Sequence, residues 1–306
     1  MIIKIGTRGS KLALWQAYYI QNQLEEAGYT TEIKIIETKG DKILDRALSK
    51  IGSKGVFTEE LEEQLQSGEI DIAVHSAKDL QSDLGPTFKI IAYSKREITT
   101  DVLISNKNHL VSESLTIGTS STRRVALLKA YFPHFKIVDM RGNLQTRIKK
   151  MEDGDCDALL LAYAGVHRMQ YDKMIIHEFD TKEFISPVGQ GCVAIEASVF
   201  LDPSKSEIIR KVCNDNDTEL CLLAERAYLK TLKGGCSIPV FGNATLENKK
   251  VNFTAGIISL DGKEKIVETL LQDFESPEEL GMKMADIILS KGGNRILENI
   301  KSQLQK

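Results

Sequence analysis

Residues 4–14 read "KIGTRGSKLAL" and residues 116–127 read "TIGTSSTRRVAL". Each ends an apolar, β-rich run in Ile-Gly-Thr, passes through small polar residues and a basic side chain, and enters a stretch with helical character. Strand, loop and helix thus recur in the same order, and the recurrence predicts two similar α/β domains.

The surroundings extend the pattern. Apolar, β-rich runs at 2–6, 31–37, 71–75, 89–93, 102–105, 115–118, 136–140 and 158–162 alternate with helical patterns at 10–27, 58–67, 122–131 and 143–152. That alternation is the mark of largely parallel sheets. The charged, non-periodic "SKREITTD" (94–101) reads as a hinge and "DTKEFISPVGQG" (180–191) as a return crossing. From about residue 214 the pattern changes to a helix (217–232), a loop "KGGCSIPVFG" (233–242), a strand-like "VNFTAGIISL" (251–260), a turn at Asp261-Gly262 and a final amphipathic helix. This part reads as a smaller α+β domain. The expected bounds are 1–95 with 185–205, then 96–184, then 206–306.

Composition narrows the function classes. A chain of 306 residues suits two or three domains rather than one core. Its 40 basic and 43 acidic residues give a formal charge of -3, which argues against wholesale nucleic-acid or membrane binding and makes any basic site local. The start lacks the order of a signal peptide and no stretch approaches 18 uninterrupted apolar residues, so a cytoplasmic protein is expected. Five cysteines, at 156, 192, 213, 221 and 236, form no CxxC pair or zinc-spaced cluster, and an odd number fits a reducing compartment.

Chemistry-bearing residues gather at expected strand ends. Helix starts favour anions, and the two echoed loops add Thr7, Arg8, Ser10 and Lys11 on one side and Thr119, Ser120, Ser121, Arg123 and Arg124 on the other. Either loop alone reads more readily as an ordinary capped helix beside surface arginines; the pair points to anion binding. "RGNLQTR" (141–147) brings Arg141 and Arg147 to a third strand end, and "YAGVHR" (163–168) brings Arg168 to a fourth. Guanidinium groups at four such places predict a ligand with several carboxylates or phosphates, bound in a cleft at the carboxyl ends of the strands. In "DIAVHSAKDL" (71–80), Lys78 and Asp79 are either a surface charge pair or a site where a carboxylate moves a proton and stabilises a developing cation, while His75 reads as a hydrogen-bonded core residue. Cys236, behind two glycines and ahead of Ser-Ile-Pro, sits on a tight loop as either a buried thiol or one that meets a small molecule.

These stretches together resemble the porphobilinogen deaminase family. The resemblance rests on "GTRGSKLALWQA" (6–17), "TKGDKILD" (38–45), "SKGVFTEELE" (53–62), "DIAVHSAKDL", "GTSSTRR" (118–124), "RGNLQTR", "LAYAG" (161–165), "PVGQG" (187–191) and "LLAERAYLKTLKGGCSIPVFG" (222–242). It implies two periplasmic-binding-protein-like α/β domains plus a smaller α+β C-terminal domain. It implies a transferase that joins four porphobilinogen molecules head to tail and releases hydroxymethylbilane and ammonia. By the same resemblance Cys236 carries a dipyrromethane cofactor through a thioether, and Asp79 is catalytic, helping ammonia leave and stabilising a cationic azafulvene. Arg8, Ser10, Lys78, Thr119, Ser121, Arg123, Arg124, Arg141, Arg147 and Arg168 are the implied carboxylate contacts, and Lys54 belongs to a mobile flap. No metal is implied; the chain acts as a monomer and passes its product to uroporphyrinogen-III synthase. Departures are Ala77 in place of a bulkier residue, Gln81 in "AKDLQSDL" (77–84) where a proline soon follows the Lys-Asp pair, and "IEAS" (195–198) lacking an arginine two residues on. Cys192 stands in place of a small residue and is expected to pack in the core. The alternatives are a solute-binding protein that uses the same cleft without chemistry and an enzyme that uses Cys236 as an acyl nucleophile.

Overall fold

The computed structural model describes residues 1–42, 58–234, 238–273 and 276–304. The strands in chain order are β1 (Ile2–Thr7), β2 (Thr30–Ile35), β3 (Ile72–Ser76), β4 (Phe88–Tyr93), β5 (Asp101–Ile104), β6 (Thr116–Gly118), β7 (Lys136–Val138), β8 (Ala158–Ala162), β9 (Ile175–Glu178), β10 (Val193–Ser198), β11 (Val240–Glu247), β12 (Lys250–Ile258) and β13 (Lys265–Asp273). They form two five-stranded sheets, ordered β2-β1-β3-β10-β4 and β7-β6-β8-β5-β9, and a three-stranded sheet β11-β12-β13. The chain divides into two compact units, Met1–Glu97 with Gly191–Leu220 and Ile98–Gln190 with Cys221–Lys306.

The five-stranded sheets repeat one plan. In the first, β1 pairs in parallel with β2 and β3, and β10 lies antiparallel between β3 and β4. In the second, β6 pairs in parallel with β7 and β8, and β5 lies antiparallel between β8 and β9. The antiparallel member of each sheet is the first strand the chain makes after passing from one unit to the other, at residues 97/98 for β5 and 190/191 for β10. Four of the five strands in each sheet thus run the same way, so the expectation of largely parallel sheets holds, with one antiparallel strand inserted in each. The four-residue β9 and the six-residue β10 have no counterpart among the strands expected from the sequence.

The repeated Ile-Gly-Thr now has a physical cause. A Cβ on Gly6 would stand 2.3 Å from Ile70 Cδ1, and one on Gly118 would stand 2.9 Å from both Cys156 Sγ and Leu159 Cδ2. Each glycine lets its strand end pack against apolar side chains with no room for a methyl group. The serines that follow do equivalent work as well: Ser10 Oγ accepts from Ala13 N at the start of the helix Lys11–Glu26, and Ser121 Oγ accepts from Arg124 N at the start of Thr122–Tyr131.

Burial follows the same division. In the first unit Ile3, Ile5, Ile20, Leu24, Ile72, Val193 and Ile195 share one core. In the second, a continuous core joins Ile117, Leu127, Leu160 and Phe184 to Phe241 and Ile258 of the C-terminal sheet. The three-stranded sheet thus closes over the second α/β sheet within one unit. Helices Pro277–Ile288 and Asn294–Leu304 finish the chain, parted by Leu289–Gly293, in which Gly292 has φ 107°; the expected single final helix is two.

Gly118→Ala is expected to cost the second unit about 1–3 kcal/mol through overpacking. Urea unfolding followed by tryptophan-independent circular dichroism checks it; an unchanged midpoint contradicts the close-packing account.

Candidate active site

In the first unit the parallel pairing of β1 with β3, in the register Gly6↔Ala73, brings their carboxyl ends to one sheet edge. That edge carries Arg8 and Ser10 after β1, and Lys78 and Asp79 in the 3-10 turn Ala77–Asp79 after β3. The turn is anchored: Ala77 is buried and its N–H donates to Cys192 O, and Ser76 Oγ accepts from Gln16 Nε2 at 2.8 Å. Asp79 itself is exposed and Lys78 half-buried. A carboxylate on a pinned turn with its charge in solvent is placed to exchange protons with a bound molecule.

Beneath that edge lies a second ionisable group. His75 Nε2 stands 3.0 Å from Glu196 Oε2, and both side chains are buried. The nearby half-buried Glu62 has its carboxyl raised above the ordinary range, by burial first and also by the Glu196 charge. His75 is buried as expected, but its Nε2 makes a hydrogen bond with no described residue, and the Glu196 contact is an ion-pair distance only. Cys192 is 1% exposed and its Sγ donates to Ser94 O, as expected of a packed thiol. Ser198 occupies the position where the family pattern has an arginine; it is buried and accepts from Phe200 N.

In the second unit the parallel trio β7-β6-β8 sends its carboxyl ends to one edge, and antiparallel β5 begins there, with Asp101 opposite Ala162. Thr119 and Ser121 follow β6, Arg141 follows β7, Arg147 lies on the helix Leu144–Glu152, and Arg168 ends the helix Tyr163–Arg168 after β8. Ser121 N donates to Thr119 Oγ1, Arg141 Nε lies 3.3 Å from Asp139 Oδ2, and Arg147 Nε donates to Gly142 O. The sequence-predicted site residues are thus gathered by strand order, Arg8, Ser10, Lys78 and Asp79 on one sheet edge and Thr119, Ser121, Arg123, Arg124, Arg141, Arg147 and Arg168 on the other. Lys54 and Cys236 lie outside the described residues.

Arg123 and Arg124 do more than cap a loop. They occupy the first turn of their helix, where the dipole disfavours cations, yet they are only 4% and 6% exposed. Arg123 Nη2 donates to Asp101 Oδ2 at 2.5 Å and Arg124 Nη2 to Asp101 Oδ1 at 2.7 Å. Gln190 Nε2 adds a 3.0 Å bond to Oδ1. Burial alone would raise the Asp101 pKa, but the two guanidiniums outweigh it and hold the carboxyl well below its usual range. Asp101 was read only as the end of a hinge. Its partners lie 22 and 23 residues away, so no local pattern marks it.

Glu225 was also missed. Fully buried, it accepts from Gly189 N and Ala244 N, tying the "PVGQG" loop to β11. The available signal was a carboxylate on the helix stripe of Cys221 and Tyr228, both buried. The four described cysteines are buried, and burial pushes the Cys156 thiol up to about 11 and that of Cys213 to about 12. None of these four is exposed to a ligand in solvent.

A family model described as porphobilinogen deaminase, dipyromethane cofactor binding domain, matches residues 3–202, and one described as the C-terminal domain of porphobilinogen deaminase matches residues 219–290. A porphobilinogen deaminase of Cytophaga hutchinsonii is 53% identical over 99% of this chain and 98% of its own length; that of Desulfosudis oleivorans is 50% identical over 99% of each. Among solved structures, the methionine binding protein MetQ overlaps 69% of this chain and 89% of its own at a TM-score of 0.45 and 14% identity. On these matches, which run through both α/β units and the C-terminal sheet, the chain belongs to the porphobilinogen deaminase family.

Proposed function

We propose that the chain is a transferase that deaminates porphobilinogen and joins four molecules head to tail, releasing hydroxymethylbilane. The observation that carries this is the end-to-end match with curated porphobilinogen deaminases at 53% and 50% identity. The chemistry of the two edges supports it, since porphobilinogen bears an acetate and a propionate and each edge offers cations.

The residues also fit the family's dipyrromethane. Arg123 Nε and Arg124 Nε are buried without a hydrogen-bond partner among the described residues, and the trio with Asp101 holds two positive charges against one negative. A carboxylate-bearing group satisfies both deficits. When bound, the dipyrromethane supplies the primer onto which substrate is added. Cys236 is the proposed thioether anchor, and Arg123, Arg124, Arg141, Arg147, Arg168, Thr119 and Ser121 the proposed carboxylate holders on their edge. On the other edge Arg8, Ser10 and Lys78 orient substrate carboxylates, and Lys54 is a further proposed contact. Asp79 accepts hydrogen bonds from pyrrole N–H groups and offsets the positive charge that develops as the amino group leaves as ammonia.

The proposal extends to context. The proposed location is the cytoplasm, in keeping with an odd number of cysteines without a disulfide framework; the working form is a monomer, and uroporphyrinogen-III synthase takes the product. The three-part division at 95/96, 184/185 and 205/206 is proposed as the functional partition, residues 206–306 carrying Cys236.

Purified protein given porphobilinogen is expected to release ammonia and hydroxymethylbilane, and Asp79→Asn to lower kcat by roughly 10²–10⁴-fold while circular dichroism stays unchanged. A variant within threefold of wild type removes Asp79 from the chemistry. Alkylation of native, cofactor-free protein is expected to label Cys236 and none of Cys156, Cys192, Cys213 or Cys221; peptide mass spectrometry that finds a buried cysteine labelled first contradicts the thiol assignment.

A further inference from the structure

The second unit buries an ionic cluster whose charges do not balance. Arg123 and Arg124 are side by side, and one carboxylate, Asp101, is 0% exposed between them. Each guanidinium is held at two of its three nitrogens. Arg123 gives Nη2 to Asp101 and Nη1 to Ile185 O; Arg124 gives Nη2 to Asp101 and Nη1 to Leu160 O. A planar fork fixed at two corners cannot turn. Gln190, which also donates to Thr99 O, fixes the carboxylate in turn.

What is left over is specific. The third nitrogen of each fork, Nε, is buried and has no hydrogen-bond partner among the described residues. Two adjacent buried cations at a helix start repel one another and the helix dipole, and without a counter-ion they would turn out to water. With Asp101 present they stay in, one positive charge in excess and two donors unmet.

We infer that Asp101 is a positioning residue for the carboxylate-binding part of the site. It touches no ligand itself. It acts through Arg123 and Arg124, holding both forks in one orientation before a carboxylate arrives, so that the ordering cost of two long side chains is met in the fold rather than at binding. Gln190 supports it by fixing Oδ1. This rests on the function proposed above, in which those arginines meet the carboxylates of the dipyrromethane.

The test uses cofactor-free full-length wild type, Asp101→Asn and Asp101→Glu. Each is given porphobilinogen over a concentration series, and acquisition of the dipyrromethane is read by intact mass, with the unfolding midpoint measured alongside. Asp101→Glu keeps the charge and moves the carboxylate by one methylene, so it separates position from charge if Asp101→Asn fails to fold. Both folded variants are expected to need at least tenfold more porphobilinogen for half-loading than wild type. A folded variant that half-loads at the wild-type concentration, while wild type loads normally, overturns the role of Asp101 alone. A wild type that never loads overturns the proposed reaction and this inference together. A third readout needs no variant: in wild type labelled with [15N]arginine, two Nε–H resonances protected from solvent are expected to shift on loading, and their staying put overturns the inference.

Discussion

One buried carboxylate governs the second unit. Asp101 begins β5, and through Arg123 and Arg124 it reaches the start of the helix Thr122–Tyr131, the carbonyl of Leu160 in β8 and the carbonyl of Ile185. Gln190 brings in the end of the return crossing. Four segments distant in sequence are therefore oriented by a single charge. Next to Ile185, Ser186 O accepts from Gly242 N in β11, so the same cluster is continuous with the sheet that follows the Cys236 loop. A buried ion cluster of this kind is weak evidence for stability, because desolvation offsets most of the attraction. Its value is orientation.

The two α/β sheets show one backbone plan carrying different side chains. Each presents the carboxyl ends of its parallel strands at one edge, and each edge carries cations and hydroxyls set by helix starts. The edges are not equivalent. The first holds Asp79 in a short turn with its charge exposed, suited to proton handling; the second holds the buried forks, suited to gripping carboxylates. Similar backbone plans have diverged in which side chains they display.

Much of the α/β core was legible because its signals are local. The Ile-Gly-Thr stretches, Ser10 and Ser121 announce strand end, loop and helix within a few residues, and the structure gives the glycines and serines matching jobs. The antiparallel insertions of β5 and β10 were not legible, since strand direction depends on where the chain crosses between units. β11 and β13 were missed for another reason: Gly242 and Asn243 interrupt the first, and Leu271, 61% exposed, blurs the alternation of the second. In the site, the arginines were visible as residue types at strand ends. Asp101, Gln190 and Glu225 were not, because their meaning lies in partners far along the chain.

The central claim is the proposal that a dipyrromethane is bound covalently at Cys236, its carboxylates held by the cationic edge of the second unit. The most direct measurement is the intact mass of the purified protein, after incubation with porphobilinogen, beside Cys236→Ser treated identically. The account predicts an added mass of two linked porphobilinogen-derived units on wild type and none on the variant. An unmodified wild type, or the same addition on both, would contradict it.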